Sequence, residues 1–288
     1  MPAWFIGAPL ILLQACAYLA VDRPTVIHRT DSPYGHIFVT EDDRGVRSLY
    51  FDEGTSRQGA VIPGRFTNLV IPYTRVATVG LVVAPHPERV LFVGLGVGAM
   101  PMYTQALFPN AQIDVVEIDS VVVDVAQAFF GFAPDERMRV HVADGRAFIE
   151  GAERASYDLI VLDAYSDEGI PYHLTTREFL TSVRSLLTPS GVVVSNLWES
   201  STLYDSMVAT FADVFDELIL LRVERRVERI LVAPAERRSL ERATLIDATI
   251  RLTERVDFGF DLARLIERGY QQPMLSGVPV LRDGETNQ

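Results

Sequence analysis

The stretch RVLFVGLGVGAM, Arg89 to Met100, decides how the rest of the chain is read. A short, almost wholly apolar run leads into three glycines at alternate positions, Gly94, Gly96 and Gly98. Continuous apolar character of this length marks a strand buried on both faces, as in a parallel sheet. Glycines directly after such a strand allow a sharp turn into a helix, where backbone amides approach a ligand and the helix N-terminus favours an anion. Tight packing alone also asks for glycine at such a turn, so the turn by itself leaves both explanations open. The spacing is G-x-G-x-G, and Pro101 stands where the dinucleotide pattern has its third glycine, which disfavours nicotinamide and flavin chemistry.

Downstream of this turn, strand and helix patterns alternate: QIDVVEID then a helix from Ser120, MRVHVAD then a short helix, YDLIVLDAY then a helix over 175–187, GVVVSNLW then a helix to about Val214. This order predicts an α/β fold with a doubly wound, mostly parallel sheet. ELILLRV and RILVAP lie close together in sequence and predict an antiparallel edge pair. Upstream, VIHRT, HIFVTED and VRSLYFDEG alternate and are broken by Ser32-Pro33-Tyr34-Gly35, Asp43-Arg44-Gly45 and Glu53-Gly54, which predicts a small N-terminal β meander. A helical stretch near 73–84 joins the two parts. The resulting division is an apolar segment over 1–22, a β-rich domain over 23–85, and a Rossmann-like nucleoside-binding domain over 86–288. Residues 224–270 alternate arginine and glutamate (ERRVERI, ERRSLERATL, LARLIERG), a pattern expected of helices with a solvated, ion-paired face.

Composition removes several chemistries. The 26 basic residues are all arginine, so Schiff bases, pyridoxal phosphate attachment and the P-loop lysine are excluded. Against 38 acidic residues the net charge is −12, which repels nucleic acid and weakly attracts cations such as polyamines. The single cysteine, Cys16, cannot form an internal disulfide, and the five histidines have no metal-ligand spacing, so no metal is expected. Residues 1–20 carry no charge and are long enough to cross a bilayer. A signal peptide, a membrane anchor, a lipoprotein leader and a plain apolar arm are the alternatives for them, and membrane association through this segment stays open.

Three carboxylates fall at successive strand ends. Glu117 lies 19 residues beyond Gly98 at the end of QIDVVEID, where an acid accepts hydrogen bonds from ribose hydroxyls. Asp119, two residues on, suits the N-cap of the helix from Ser120. Asp144, followed by Gly145, ends the next strand; it could accept from an adenine amino group or simply cap a helix. Asp163 ends YDLIVLD, where a carboxylate can hold an incoming ammonium and take its proton, with Asp167 and Glu168 behind it as substrate-side acids or loop caps. A glycine turn, a ribose acid and an adenine acid describe an adenosine site without a phosphate-gripping lysine, which suits S-adenosylmethionine or a derivative. That donor is an intracellular metabolite, which places the folded part in the cytoplasm.

Together these motifs resemble the spermidine synthase (polyamine aminopropyltransferase) family, in particular its spermidine synthase-like branch, often fused to membrane segments. The resemblance runs from about Ser32 to Asp216: GLGVGA is similar to the family's glycine loop, VVEID to its ribose strand, VADGRAFI to its adenine strand, and YDLIVLDAYSDEGIPYHLTTREFL to its catalytic loop and following helix. It implies a methyltransferase-type Rossmann domain behind a small β meander. It further implies that Glu117 binds ribose, Asp144 and Gly145 frame adenine, Asp163 is the base, Gln58 contacts the donor's aliphatic arm, and Tyr73 lies at the substrate site. A surface role for Gln58 and a core role for Tyr73 are the competing explanations. Trp198 could wall the substrate pocket or belong to the core. Family members commonly form dimers, so the resemblance also implies a homodimer.

Three positions depart from the family pattern. Val97 replaces an aspartate that pairs with the terminal ammonium of decarboxylated S-adenosylmethionine, Ser166 replaces a second aspartate with Asp167 as its neighbour, and Arg75 reverses the charge of an acid. Losing the first acid forfeits a charge-assisted hydrogen bond of about 1.5–3 kcal/mol and also removes a clash with the carboxylate of intact S-adenosylmethionine. The expected activity is aminopropyl transfer to a polyamine amine. The alternatives are methyl transfer from S-adenosylmethionine to a small-molecule or protein amine, favoured by the three departures, and a non-catalytic nucleoside-binding module.

Overall fold

The computed structural model describes residues 24–52, 57–166, 169–275 and 277–285. The apolar segment 1–20 with Cys16, the Glu53-Gly54 turn, and both Asp167 and Glu168 lie outside the described residues.

The first part is an antiparallel meander in the order β1 (Thr25–Ser32), β2 (Gly35–Glu41), β3 (Arg47–Phe51), β4 (Arg57–Val61). Strand β4, RQGAV, has no strand signal in its sequence, because a mid-strand glycine weakens the pattern. Gly59 is there for close approach: a Cβ on it would lie 2.8 Å from both methyls of Val97. Alternation along β2 and β3 turns Ile37, Val39 and Leu49 inward, where they form one apolar cluster with Val61, Val97, Val122, Val125 and Phe130. The meander therefore leans on the glycine turn and on α4 (Ser120–Phe130) of the second part.

Pro72 opens α1 (Pro72–Ala77), where its missing N–H costs nothing. The stretch expected as one helix is two, because α2 (Val79–Val83) starts again after Thr78. Gly80 in α2 sits directly on the sheet, since a Cβ there would come within 2.7 Å of Val194 and 2.8 Å of Leu159.

The second part is an eight-stranded sheet in the order β12-β10-β11-β9-β8-β5-β6-β7. Its strands are β5 (Arg89–Val93), β6 (Gln112–Glu117), β7 (Met138–Val142), β8 (Tyr157–Leu162), β9 (Leu187–Trp198), β10 (Ile219–Arg222), β11 (Glu228–Pro234) and β12 (Tyr270–Gln271). Strands β5 to β9 pair in parallel, while β11 runs antiparallel to both β9 and β10. This is the methyltransferase-type sheet with its antiparallel edge. Alternate residues of β5 feed two cores: Val90 and Phe92 face α2, α3 (Ala99–Leu107), α8 (Arg242–Thr253) and α9 (Leu262–Gly269), whereas Leu91 and Val93 face α5 (Gly145–Gly151), α6 (Arg177–Leu186) and α7 (Tyr204–Val214). Each such side chain contributes about 1.5–3 kcal/mol on burial, which is why the run is apolar on both faces.

One helical expectation is corrected. In ERRVERI, residues 224–227 form the turn between β10 and β11, with Arg225 at φ 59°, and Glu228 already begins β11. Pairing with β9 and β10 on both sides outweighs the helical charge pattern.

Strand order reverses at β5, between β8 on one side and β6 on the other, and the crevice outside the carboxyl ends of such strands is where open α/β sheets bind ligands.

Candidate active site

The glycine turn falls at that crevice. Gly94, Gly96 and Gly98 have φ of 100°, 54° and 73°, a region that strains other residues. Gly94 is also required sterically, because a Cβ there would lie 2.3 Å from the Asp163 carbonyl oxygen. Asp163 N–H donates to the Val93 carbonyl at 2.8 Å, so the candidate base is stitched to the turn. A Cβ on Gly96 would have the Gln58 carbonyl as its nearest neighbour at 3.8 Å, and this part of the turn faces open space. Gly98 stands one step back; it precedes α3 and packs on the Phe132 ring, 2.5 Å from where its Cβ would be.

The turn, the meander and the strand ends enclose a cavity of about 310 Å³. Its wall includes Gln58, Tyr73, Gly94, Gly96, Glu117, Asp144, Gly145 and Asp163, so every candidate site residue among the described ones except Gly98 lines it.

Glu117 accepts the Leu95 amide on Oε2 and the Asp119 amide on Oε1, each at 3.0 Å, and so clamps the glycine turn to the start of α4. Burial raises its pKa and these amides oppose the rise. An ionised carboxylate has about four acceptor sites, so Glu117 keeps room for a further donor such as a hydroxyl. Asp119 caps α4 by accepting the Val121 amide at 2.9 Å. Asp144 does cap α5, accepting the Ala147 amide on Oδ1 at 2.9 Å, while Oδ2 meets His173 Nε2 at 2.9 Å. Burial pushes the Asp144 pKa up, but the Ala147 amide and the His173 ring outweigh it and leave it lowered. Gly145 permits contact with β5, since a Cβ would lie 2.6 Å from Val93 Cγ1.

Asp163 is hydrogen-bonded through both of its carboxylate oxygens. Its Oδ2 accepts the Tyr73 hydroxyl at 2.8 Å and its Oδ1 accepts the Asn196 side-chain amide at 3.0 Å. Burial drives its pKa from 3.8 to about 6 against the pull of these two donors, and the Glu228 charge adds to the rise. A carboxylate of that pKa is ionised at neutral pH yet basic enough to take a proton from an amine in a transition state. Burial likewise raises the Tyr73 hydroxyl, with the Asp163 charge adding to it, so Tyr73 stays a donor.

Four further wall residues carry no site signal in the sequence: His173, Asn196, Tyr165 and Glu228. Tyr165 stacks on Trp198 with ring centroids 4.5 Å apart and donates to the Asn196 carbonyl at 2.7 Å. Trp198 itself lies on the cavity wall.

The three departures have distinct settings. Val97 is 3% exposed and lies both on the cavity wall and in the apolar seam beneath the meander. Ser166 donates through Oγ to the Gly169 carbonyl at 3.1 Å and shapes the loop beside Asp163. Arg75 points elsewhere: its Nε donates to the Leu69 carbonyl at 2.6 Å and its guanidinium lies 5.8 Å from the Phe260 ring centroid. The reversed charge thus stays off the cavity wall.

A buried carboxyl beside a cleft at the switch point of a methyltransferase-type sheet is the arrangement of a group-transfer enzyme. The spermine/spermidine synthase domain matches residues 72–220. A polyamine aminopropyltransferase of Vibrio vulnificus (strain CMCP6) is 38% identical over 228 residues, 75% of either chain. Among solved structures, spermidine synthase from Thermotoga maritima superposes with a TM-score of 0.68 at 16% identity over 86% of this chain and 84% of that one. Human methyltransferase-like protein 13, in complex with SAH, superposes with a TM-score of 0.59 at 30% identity over 73% of this chain and 98% of that one. The chain belongs to the spermine/spermidine synthase family, and it is a transferase.

Proposed function

We propose that this protein transfers an aminopropyl group from decarboxylated S-adenosylmethionine to a polyamine nitrogen. The observation that carries the reading is the buried Asp163 carboxyl, stitched to the glycine turn and held by Tyr73 and Asn196. Glu117 would accept from the ribose, Asp144 and Gly145 would flank the adenine, and Gln58 would lie along the aliphatic arm. The acceptor nitrogen attacks the propyl carbon bonded to sulfur. The new C–N bond forms as the C–S bond breaks, its electron pair leaves with neutral methylthioadenosine, and the proton lost by nitrogen goes to Asp163. Tyr73 keeps the carboxylate aimed at that nitrogen.

Val97 supports a second reading, methyl transfer from intact S-adenosylmethionine, because no acid stands at that turn position to repel the donor's carboxylate. The related methyltransferase crystallised with SAH fits this reading. Calorimetric titration with both donors, followed by product analysis with putrescine and spermidine, separates the two. Aminopropylated product from the decarboxylated donor is the expected result. Tighter binding of the intact donor with only methylated product transfers the assignment to the second reading, and binding of neither leaves a non-catalytic module.

The family resemblance further supports a homodimer, which light scattering on the full chain tests. An intracellular donor supports a cytoplasmic reaction. No described helix is long and apolar enough to cross a membrane; membrane association through residues 1–20 is tested by fractionation with and without that segment.

A further inference from the structure

Two buried acceptor atoms on the cavity wall have no partner among the described residues: Asn196 Oδ1 and Glu228 Oε2. Buried polar atoms left in this way are destabilising, a charged one most of all, unless a ligand satisfies them. The orientation of Asn196 follows from its neighbour, since an ionised Asp163 only accepts, so the amide nitrogen must face it and the oxygen must face away. Glu228 pairs in register with Trp198, and Asn196 lies two residues before Trp198 on β9. Residues opposite each other, or two apart, share one face of a sheet, so Asn196, Trp198 and Glu228 form a single patch beside Asp163.

This patch is acidic and aromatic. Asp163 and Glu228 bring two carboxylates, and Tyr165 stacked on Trp198 brings ring faces that attract cations. None of the groups acting on Asp163 is a cation. Transfer chemistry uses up only one of two ammonium charges, because the attacking nitrogen must be neutral and surrenders its proton to Asp163. A second positive charge is then left to balance the second carboxylate.

We propose that Glu228 is the counter-ion for the far ammonium of an α,ω-diamine acceptor, making it the residue that selects diamines over monoamines. This rests on the amine-transfer reading of the cavity. Glu228 binds substrate away from the reacting atoms, so its loss falls on acceptor recognition.

The test compares 1,4-diaminobutane with 1-aminobutane in the full-length protein and in Glu228→Gln. The expected result is a rise of about ten- to hundredfold in KM for the diamine, matching one charge-assisted hydrogen bond, with the monoamine affected far less. Equal losses for both amines, or an unchanged diamine KM, overturn the proposal. Donor affinity by calorimetry checks that the variant is folded. Should it not fold, Glu228→Asp carries the test: the carboxylate retracts by one methylene, so preference should move from 1,4-diaminobutane toward 1,5-diaminopentane, and an unmoved preference overturns the proposal. If the wild-type protein transfers no group, diamine binding to the methylthioadenosine-loaded protein is measured instead. Weaker binding in Glu228→Gln then sustains this assignment while the transfer reading falls, and equal binding overturns both.

Discussion

The Tyr73 hydroxyl donates to Asp163 Oδ2 at 2.8 Å across 90 positions of sequence, joining the first helix to the end of β8 at one carboxylate. Asp163→Asn should therefore retain donor binding and lose turnover by about 10²-fold or more, since general-base contributions are of that size. Stability should move the other way. The raised pKa means that Asp163 favours the folded state fully below 3.8, and that this contribution is lost as pH rises through about 6. Above that pH its buried charge costs about 3 kcal/mol, since each tenfold change in proton affinity is worth about 1.4 kcal/mol. The asparagine variant, neutral at every pH, should melt several degrees higher than wild type at pH 8 and gain little at pH 4. A variant that is inactive and also less stable at pH 8 would count against the buried-base assignment.

Tyr73→Phe removes a hydrogen bond that lowers the Asp163 pKa. An Asp163 that acts as the base must be ionised, so the wild-type rate at limiting acceptor should rise with pH through about 6. In the phenylalanine variant this rising limb should lie at higher pH, with a loss at neutral pH that partly recovers under alkaline conditions. The pH dependence of kcat/KM measures this, and a limb that stays put shows that Tyr73 acts only on the acceptor.

With Glu117 as the proposed ribose acceptor, Glu117→Ala should weaken either donor about tenfold or more, through the loss of charge-assisted hydrogen bonds from the ribose hydroxyls. The carboxylate also receives the Leu95 and Asp119 amides, so the same change should lower Tm by loosening the glycine turn. Glu117→Gln keeps one acceptor oxygen and should recover part of both losses. Donor titration and thermal melting check this pair, and unimpaired donor affinity in the alanine variant removes Glu117 from the ribose.

Much of this architecture is written locally in the chain. The continuous apolar runs in β5 and β8, followed by helical patterns, are the mark of a covered parallel sheet, and Glu117, Asp144 and Asp163 each stand at or just past the carboxyl end of a strand. What escapes sequence reading depends on pairing between distant segments. Glu228 sits in an arginine-rich stretch that reads as a solvated helix face, and only its register opposite Trp198 brings it to the cavity. Asn196 looks like a polar end to a buried strand until Asp163 is seen to need a second donor. Arg75 reads as a charge reversal in the site, yet α1 points it at the Leu69 carbonyl. The two-residue β12 leaves no periodic signal at all.

Val97→Asp tests why this turn is uncharged. Its side chain is buried among Ile37, Val39, Leu49 and Val61, and its methyls lie against Gly59. An apolar residue there welds the meander to α4, through Val122 and Val125 in the same cluster. A carboxylate in that seam is costly without a partner, so the donor-free variant should melt lower than wild type. With the donor's tail at this position, as the resemblance implies, decarboxylated S-adenosylmethionine should bind about ten- to hundredfold tighter relative to the intact donor than it does in wild type, while the intact donor's carboxylate would meet a like charge. The ratio of the two dissociation constants is the decisive quantity, because general damage to the seam weakens both donors alike and leaves it unchanged. A shifted ratio shows that the valine trades donor discrimination for a closed joint between the two sheets, and a constant ratio places the donor's tail away from Val97.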